Sequence, residues 1–228
     1  MKRLLLAVAG LAAVAATSAL AADLPRGQPL PPPRAPAYVP FFTWNGFYTG
    51  INAGYAFGSS KWTDTVTHLS TGGFNVNGPM IGATVGYNLQ LGGFVVGVEG
   101  DADWTSIRGS TTINCPNTTC KTANNWLGTA RGRIGYAFDR FMPYLTAGAA
   151  IGNIKGTVGA VNHFSAARVG WTGGVGVEYA FIDNWSVKLE YLYVDLGKAT
   201  CAATCSGTDP FSVSFTTSVA RAGVNYKF

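Results

Sequence analysis

The sequence predicts an all-β chain that forms an eight-stranded antiparallel up-and-down transmembrane β-barrel, preceded by an N-terminal signal peptide and a Pro-rich tether. Three observations predict this fold. Eight segments alternate apolar and polar residues with a period of two, as strands do. Long and short connections alternate between these segments, as in up-and-down membrane barrels. The 228 residues include 13% aromatic residues and 30 glycines but only 12% charged residues, a composition that excludes a disordered chain.

Residues 1–21 have the three parts of a secretory signal peptide. Lys2 and Arg3 form its positive start, residues 4–16 form an apolar stretch, and Ala19-Leu20-Ala21 provides a small-residue cleavage site. An uncleaved membrane anchor is disfavoured because the apolar stretch is short and rich in alanine. The signal peptide predicts export to an oxidising compartment.

Residues 22–40 are predicted to be a periplasmic tether. They hold seven of the eleven prolines, so they cannot form a packed core and favour an extended polyproline II conformation. A spacer is favoured over a ligand for a proline-recognising partner. The barrel is assigned to residues 41–228.

The eight strands are predicted from apolar faces that lie opposite faces of small, polar or charged residues. Their segments are 47–58, 81–89, 94–104, 126–138, 143–154, 168–181, 185–193 and 213–228. The fifth segment is uncharged and has the weakest pattern. In the eighth, Val213 and Phe215 fall out of phase with the later apolar residues, which predicts a bulge or the end of strand pairing near Thr217.

The connections between these segments alternate in length. Residues 59–78, 105–124, 155–166 and 197–212 are predicted to be long surface loops, and tight turns are expected near residues 90–93, 139–140 and 182–184.

The apolar faces are predicted to meet lipid. Their aromatic residues cluster at both strand ends around an aliphatic band, which matches the two interfaces of a bilayer. The opposite faces are then expected to form a lumen ionic network, because unpaired buried charges are costly. Its members are Glu99, Asp101, Asp103, Glu178 and Glu190 with Arg131, Arg133, Arg168, Lys188 and Arg221. A plug is favoured over an ion pathway, since eight strands leave room only for side chains.

Several short motifs resemble one family of membrane proteins. They are Phe42-Thr43-Trp44-Asn45-Gly46-Phe47-Tyr48, Asn52-Ala53-Gly54-Tyr55, Arg131-Gly132-Arg133-Ile134-Gly135-Tyr136, Lys188-Leu189-Glu190-Tyr191 and the last eight residues, 221–228. Together they resemble the small bacterial outer-membrane β-barrel surface antigens, the opacity-type and outer membrane immunogenic protein group that is loosely called the porin family. The resemblance implies the outer membrane of a Gram-negative bacterium, with both termini in the periplasm. It also implies that Val224, Tyr226 and Phe228 form the signal that the barrel-assembly machinery recognises.

The four cysteines form two closely spaced pairs in predicted surface loops of an exported chain. Local disulfides, Cys115 with Cys120 and Cys201 with Cys205, are favoured over bridges between loops because the spacings are short. Neither pair has the spacing of a zinc site, so no metal is predicted.

His68 and His163 are the only histidines, and both fall in predicted long loops. Relatives of this family suggest capture of haemin or a host ligand at the surface. Lone loop histidines are more often solvated, so this is a minor hypothesis.

Other classes of function find no support in the sequence. The common hydrolase, metalloprotease and phosphate-binding motifs are missing, so neither an enzyme nor a cofactor is predicted. Basic residues are dispersed, which argues against nucleic acid as a partner. The expected partners are the outer-membrane lipid bilayer and the assembly machinery. The predicted function is structural, supporting envelope integrity and loop-mediated surface interactions; the alternatives are a small porin-like channel and a surface ligand-binding protein.

Overall fold

The computed structural model describes residues 42–115, 119–158, 162–201 and 210–228. The predicted signal peptide and tether lie outside these residues and remain predictions.

Eight antiparallel strands form one closed barrel, and each strand pairs with the next in sequence until β8 pairs with β1. The strands are β1 (Gly46–Asp64), β2 (Ser70–Leu91), β3 (Phe94–Thr111), β4 (Cys120–Tyr136), β5 (Phe141–Val158), β6 (Asn162–Ile182), β7 (Trp185–Cys201) and β8 (Phe211–Lys227). Across the described residues, no helix has the length and apolar character needed to cross a membrane. The predicted fold class is confirmed.

The two faces of the barrel are also as predicted. Apolar side chains of the central band are exposed on the outside, with 68% of Ile51 and 61% of Leu189 accessible. Charged residues of the opposite face are enclosed, and Lys188 is only 1% accessible. A barrel with this arrangement is stable only when its outer surface meets an apolar solvent, as the hydrocarbon core of a bilayer provides.

Aromatic side chains bound the outer apolar band at both rims. At the rim with the short turns, the ring of Phe94 lies 5.2 Å from Tyr136, and that of Trp185 lies 5.1 Å from Tyr226. At the opposite rim, the ring of Trp171 lies 5.4 Å from that of Tyr193. Such belts sit at the interfaces between lipid and water.

The predicted long loops are mostly β-structure, which corrects the sequence prediction. The strands are 17 to 22 residues long, whereas about 9–11 residues suffice to cross a membrane. The extra residues extend four hairpins beyond one aromatic rim. The connections that remain are residues 65–69, 112–119, 159–161 and 202–210. His163 therefore lies in β6, where it pairs with Thr157, and not in a loop.

The irregularity expected near Thr217 lies in the neighbouring strand and not in β8, because the pairing of β7 with β8 shifts register between Asp195 and Lys198, opposite Thr216 and Ser214. Pairing of β8 with β1 is continuous from Lys227 to Phe211, and Val213 and Phe215 point inward in phase with Thr217. The physical reason is a change of surroundings along the strand. Above the membrane the outside meets water and the inside is apolar, so the polarity pattern inverts while the backbone keeps its phase.

Candidate functional site: the layered barrel interior

An ionic layer fills the middle of the lumen, and its nine charged side chains come from five strands. They are Glu99, Asp101 and Asp103 of β3, Arg131 and Arg133 of β4, Glu178 of β6, Lys188 and Glu190 of β7, and Arg221 of β8. Alternation along each strand turns these residues inward, and their charged side chains are 4% accessible or less.

Two arginines hold the centre of the ionic layer. Arg131 pairs with Glu99, with Asp101 at 2.5 Å and with Glu190 at 2.9 Å. Arg221 reaches Glu190 at 2.6 Å, Asp101 at 3.0 Å and Asp103 at 3.2 Å. Each guanidinium therefore binds three carboxylates, which suits its planar set of five donors.

Other ion pairs cross the lumen. The Nζ atom of Lys188 lies 3.0 Å from a carboxylate oxygen of Glu99, and their strands, β7 and β3, are on opposite sides of the barrel. Arg133 reaches Glu178 at 2.6 Å and Glu99 at 3.3 Å. Arg133 and Glu99 lie on neighbouring strands, but the pairs Lys188–Glu99 and Arg133–Glu178 join strands that are not neighbours and therefore brace the barrel across its interior.

The remaining strands contribute neutral donors to the same layer. Tyr48 of β1 donates to Glu99 at 2.7 Å, and Tyr144 of β5 donates to Glu190 at 3.1 Å. Thr84 of β2 donates to Asp101 at 2.8 Å. All eight strands thus contribute to the ionic layer, and buried carboxylates gain the hydrogen bonds that buried charges require.

Arg168 is the predicted network residue that the structure places elsewhere. Its side chain faces the lumen, but its position in the sheet is above the ionic layer. Its backbone pairs with Gly152, which in turn pairs with Leu127 of the apolar layer above the ions. It makes no ion pair with any residue that the structure describes, and its Nε atom is buried without a hydrogen bond there. The expected balance of five acids and five bases is therefore wrong, since the layer contains five carboxylates and four cations.

An upper apolar layer closes the lumen above the ions. It includes Trp62, Val76, Ile107, Leu127, Ile154, Leu192, Leu196, Val213 and Phe215, all at most 2% accessible. Trp62 of β1 crosses the interior and donates through Nε1 to the hydroxyl of Thr122 of β4 at 2.9 Å. The sequence analysis missed this layer. Trp62, Val76 and Ile107 lie in segments that were predicted as loops, and the other members lie at the ends of predicted strands or just beyond them, where they do not belong to the apolar faces assigned to lipid.

A lower apolar plug closes the opposite mouth. The segment before β1 places Trp44 against Val95, Met142, Tyr144 and Ala180, and Trp44 is 3% accessible. Its Nε1 donates to the backbone oxygen of Asp139 at 3.0 Å, while its backbone N–H donates to Gln90 at 2.8 Å. The plug is therefore fixed to two of the short turns. Trp44 stands outside every alternating segment, so periodicity could not identify it.

The other predicted site residues lie at the ends of the barrel. Cys115 and Cys120 form the predicted disulfide next to the start of β4. The partner expected for Cys201, Cys205, is outside the described residues, so that bridge stays a prediction. His68 is exposed in the turn between β1 and β2, whereas His163 belongs to the hairpin of β5 and β6, and their role in binding haemin or a host ligand is untested.

The C-terminal aromatic residues close the barrel at the short-turn rim. The backbone N–H of Phe228 donates to Phe47 at 2.9 Å. The rings of Tyr226 and Phe228 are 5.2 Å apart on the outer surface. This outward placement, shared by Val224, leaves the proposed assembly signal accessible on the lipid face.

The fold and the interior define a class: small membrane barrels with an apolar outer band and a buried network of salt bridges. Comparison with known proteins gives the family. The chain matches the family described as outer membrane protein beta-barrel domain over residues 4–228 and belongs to that family.

Named relatives agree with this assignment. The chain is 39% identical to a 31 kDa outer-membrane immunogenic protein of Brucella melitensis, with 97% of this chain and 98% of that protein covered. It is 35% identical to a 25 kDa outer-membrane immunogenic protein of Brucella abortus, over 100% and 99% of the two chains. The protein therefore belongs to the outer membrane of a Gram-negative bacterium.

A solved structure has the same fold. The outer membrane protein OprG of Pseudomonas aeruginosa superposes with a TM-score of 0.51, covering 83% of this chain and 100% of that one. Their sequences are 13% identical, so this likeness concerns the fold alone.

Proposed function

We propose that this protein is a closed structural barrel that supports the integrity of the outer membrane and uses its four long hairpins for surface interactions. The observation that carries the proposal is the stack of three filled layers in the lumen. Eight strands leave little more than the volume of the side chains themselves. The buried apolar side chains above and below the ions support a plugged lumen over a small channel.

The orientation is part of the proposal. Both ends of the described barrel, Phe42 and Phe228, belong to the rim with the short turns. Barrels of this type place short turns in the periplasm and longer hairpins outside the cell. We therefore assign both termini to the periplasm and the extended hairpins to the cell surface, where exposed loops carry specific recognition.

Conductance in planar bilayers tests the closed lumen. The refolded protein is expected to give no steady openings under conditions in which a sixteen-stranded porin conducts, because only larger barrels leave an aqueous channel. Sustained openings of uniform size would instead support the small porin-like channel.

A deletion strain tests the role in the envelope. Loss of the protein is expected to increase sensitivity to detergent, and a variant whose hairpin connections 65–69 and 112–119 are replaced by short Gly-Ser links should restore resistance if the barrel itself suffices.

Protease added to intact cells should cut these connections in the wild type and spare the turns near residues 92 and 183. Cleavage at the short turns instead would contradict the orientation.

A haemin titration that responds to His68→Ala with His163→Ala would favour the surface-ligand alternative.

A further inference from the structure

Five basic side chains stand on the outer surface of the extended hairpins, just beyond one aromatic rim. They are Lys61 of β1, Arg108 of β3, Lys121 of β4, Lys155 of β5 and Lys198 of β7, and all five are exposed. None of them forms an ion pair with a residue that the structure describes. We call these five residues the cationic belt.

The belt has a uniform height above the membrane. Lys61 lies four residues beyond Phe57, and Arg108 lies four residues beyond Trp104. Lys155 lies four residues beyond Ile151, the last membrane-facing apolar residue of β5. Lys121 and Lys198 each lie five residues beyond the corresponding residue of their strand, which is Trp126 in β4 and Tyr193 in β7. For strands tilted by about 40°, this spacing corresponds to a height of about 10 Å above the aromatic rim. That is the level of lipid headgroups rather than of hydrocarbon.

Strand register gathers four of the five cations into two pairs. Lys61 and Lys198 both pair with Ser214, one from each side. Arg108 and Lys155 likewise flank Ala123. Two strand spacings separate the members of each pair by about 10 Å. The small residue between them leaves space for a compact anionic group.

The surroundings of the belt favour an anion. At the same height, β2, β6 and β8 present uncharged residues such as Asn77, Ser165 and Ser214. Asp195 lies closer to the membrane, where one of its oxygens accepts the N–H of Gly197. The opposite rim is different, because there Arg140 pairs with Asp183 at 2.6 Å. At that rim Lys227 is only half-exposed and donates to the backbone oxygen of Thr43. Among the described residues, the fully exposed cations without an ion pair are therefore those of the hairpin side.

We propose that the cationic belt binds the phosphate groups of the phosphorylated glycolipid that forms the outer leaflet of a Gram-negative outer membrane. The inference rests on the proposed orientation, which places the hairpins outside the cell. Basic residues at a membrane surface attract anionic headgroups, and lysine and arginine both bind phosphate through charge-assisted hydrogen bonds. The belt would fix the depth of the barrel and recruit glycolipid around it.

A titration in detergent tests this inference independently of orientation. The refolded full-length mature chain in zwitterionic micelles is titrated with bisphosphorylated glycolipid and, separately, with the same glycolipid after removal of its phosphates. Lys61→Gln with Lys198→Gln is expected to raise the apparent Kd for the phosphorylated form by about 25-fold, since each cation contributes about 1 kcal/mol, or about fivefold. Added salt should weaken wild-type binding.

The matched control is Asn75→Gln with Ser165→Gln, which alters two exposed uncharged residues of the hairpins and should leave the affinity unchanged. Heat-modifiable migration on gels verifies that every variant folds. Equal affinity of wild type and belt variant, or of phosphorylated and dephosphorylated glycolipid, would overturn the inference. So would binding of a soluble sulfated polysaccharide without binding of the glycolipid. Failure of the proposed orientation would appear separately, as protease cleavage of the short turns in cells.

Discussion

The ring of Tyr48 lies directly against the backbone of Gly86, its partner in the ladder between β1 and β2. A Cβ atom at position 86 would overlap the ring and hydroxyl of Tyr48. Tyr144 lies against Gly176 of the neighbouring strand in the same way. Glycines in the lumen thus provide the space that the two tyrosines fill, and the tyrosines carry their hydroxyls to Glu99 and Glu190.

Gly86→Ala should therefore destabilise the barrel. The added methyl group must displace Tyr48 from Glu99, and overpacking of this kind costs about 1–3 kcal/mol. Urea-dependent unfolding in lipid vesicles, followed by tryptophan fluorescence, measures the loss. The matched control is Gly100→Ala on the lipid-facing side, where the nearest atom to a new Cβ is 3.7 Å away. Equal effects of the two substitutions would contradict the packing argument.

Two neighbouring aspartates of the ionic layer should respond differently to substitution by asparagine. Asp101 accepts hydrogen bonds at both oxygens, from Thr84 and Arg221 on one and from Thr129 and Arg131 on the other. Asp101→Asn would turn an N–H group toward these donors. We expect a loss of about 3–5 kcal/mol in the free energy of unfolding, as for other broken buried pairs.

Asp103→Asn should have little effect on stability, by the same unfolding measurement. Only one of its oxygens is paired, with Arg221 at 3.2 Å, and the other is buried without a partner among the described residues. The amide N–H₂ can occupy that second position, and the layer already has one carboxylate more than it has cations. A loss equal to that of Asp101→Asn would show that the surplus charge is needed.

The barrel could be predicted from the sequence because its membrane-spanning half follows one simple rule. Between residues such as Phe47 and Phe57, lipid on one side and ions on the other make alternation unambiguous. The ionic layer was predictable for the same reason, since a charge on an inward position has no other place to pair. Nine of the ten predicted members, all but Arg168, meet there.

The hairpin half could not be predicted in the same way. Above the rim, Trp62, Val213 and Phe215 point inward, while the outward positions carry serine, threonine and lysine. The apolar residues there face inward, whereas those below the rim face outward. An analysis that expects apolar residues to face lipid therefore predicts a loop or a bulge in this half. Arg168 was misplaced because its height depends on the register with Gly152, which the sequence alone does not give.

The disulfide between Cys115 and Cys120 should protect its connection without stabilising the barrel. It closes a short loop next to the start of β4, and short loops lose little entropy on closure. Cys115→Ala with Cys120→Ala should keep the wild-type temperature of heat-modifiable migration but speed proteolysis within residues 112–119. The control is the same double substitution at Cys201 and Cys205, which should leave proteolysis within residues 112–119 unchanged. A large fall in the transition temperature of the Cys115→Ala, Cys120→Ala variant would show that this disulfide does stabilise the barrel.

The turn between β1 and β2 should loosen in acid because Asp64 holds it as an anion. One carboxylate oxygen of Asp64 accepts the backbone N–H groups of Val66 at 2.8 Å and Thr67 at 3.0 Å. These bonds, led by that from Thr67, lower the pKa of Asp64 below its ordinary value. A lowered pKa in the folded state means that the stabilising contribution is present above the ordinary pKa, about 3.9, and is lost as the pH falls through the lower folded value.

Titration of the Asp64 carboxyl carbon by NMR should therefore give a midpoint below that of an unstructured peptide. Thr67→Pro removes the main donor and should raise the midpoint, whereas Thr67→Ala keeps the N–H group and should leave it lowered. A midpoint at or above the peptide value in the wild type would show that these hydrogen bonds do not persist in solution.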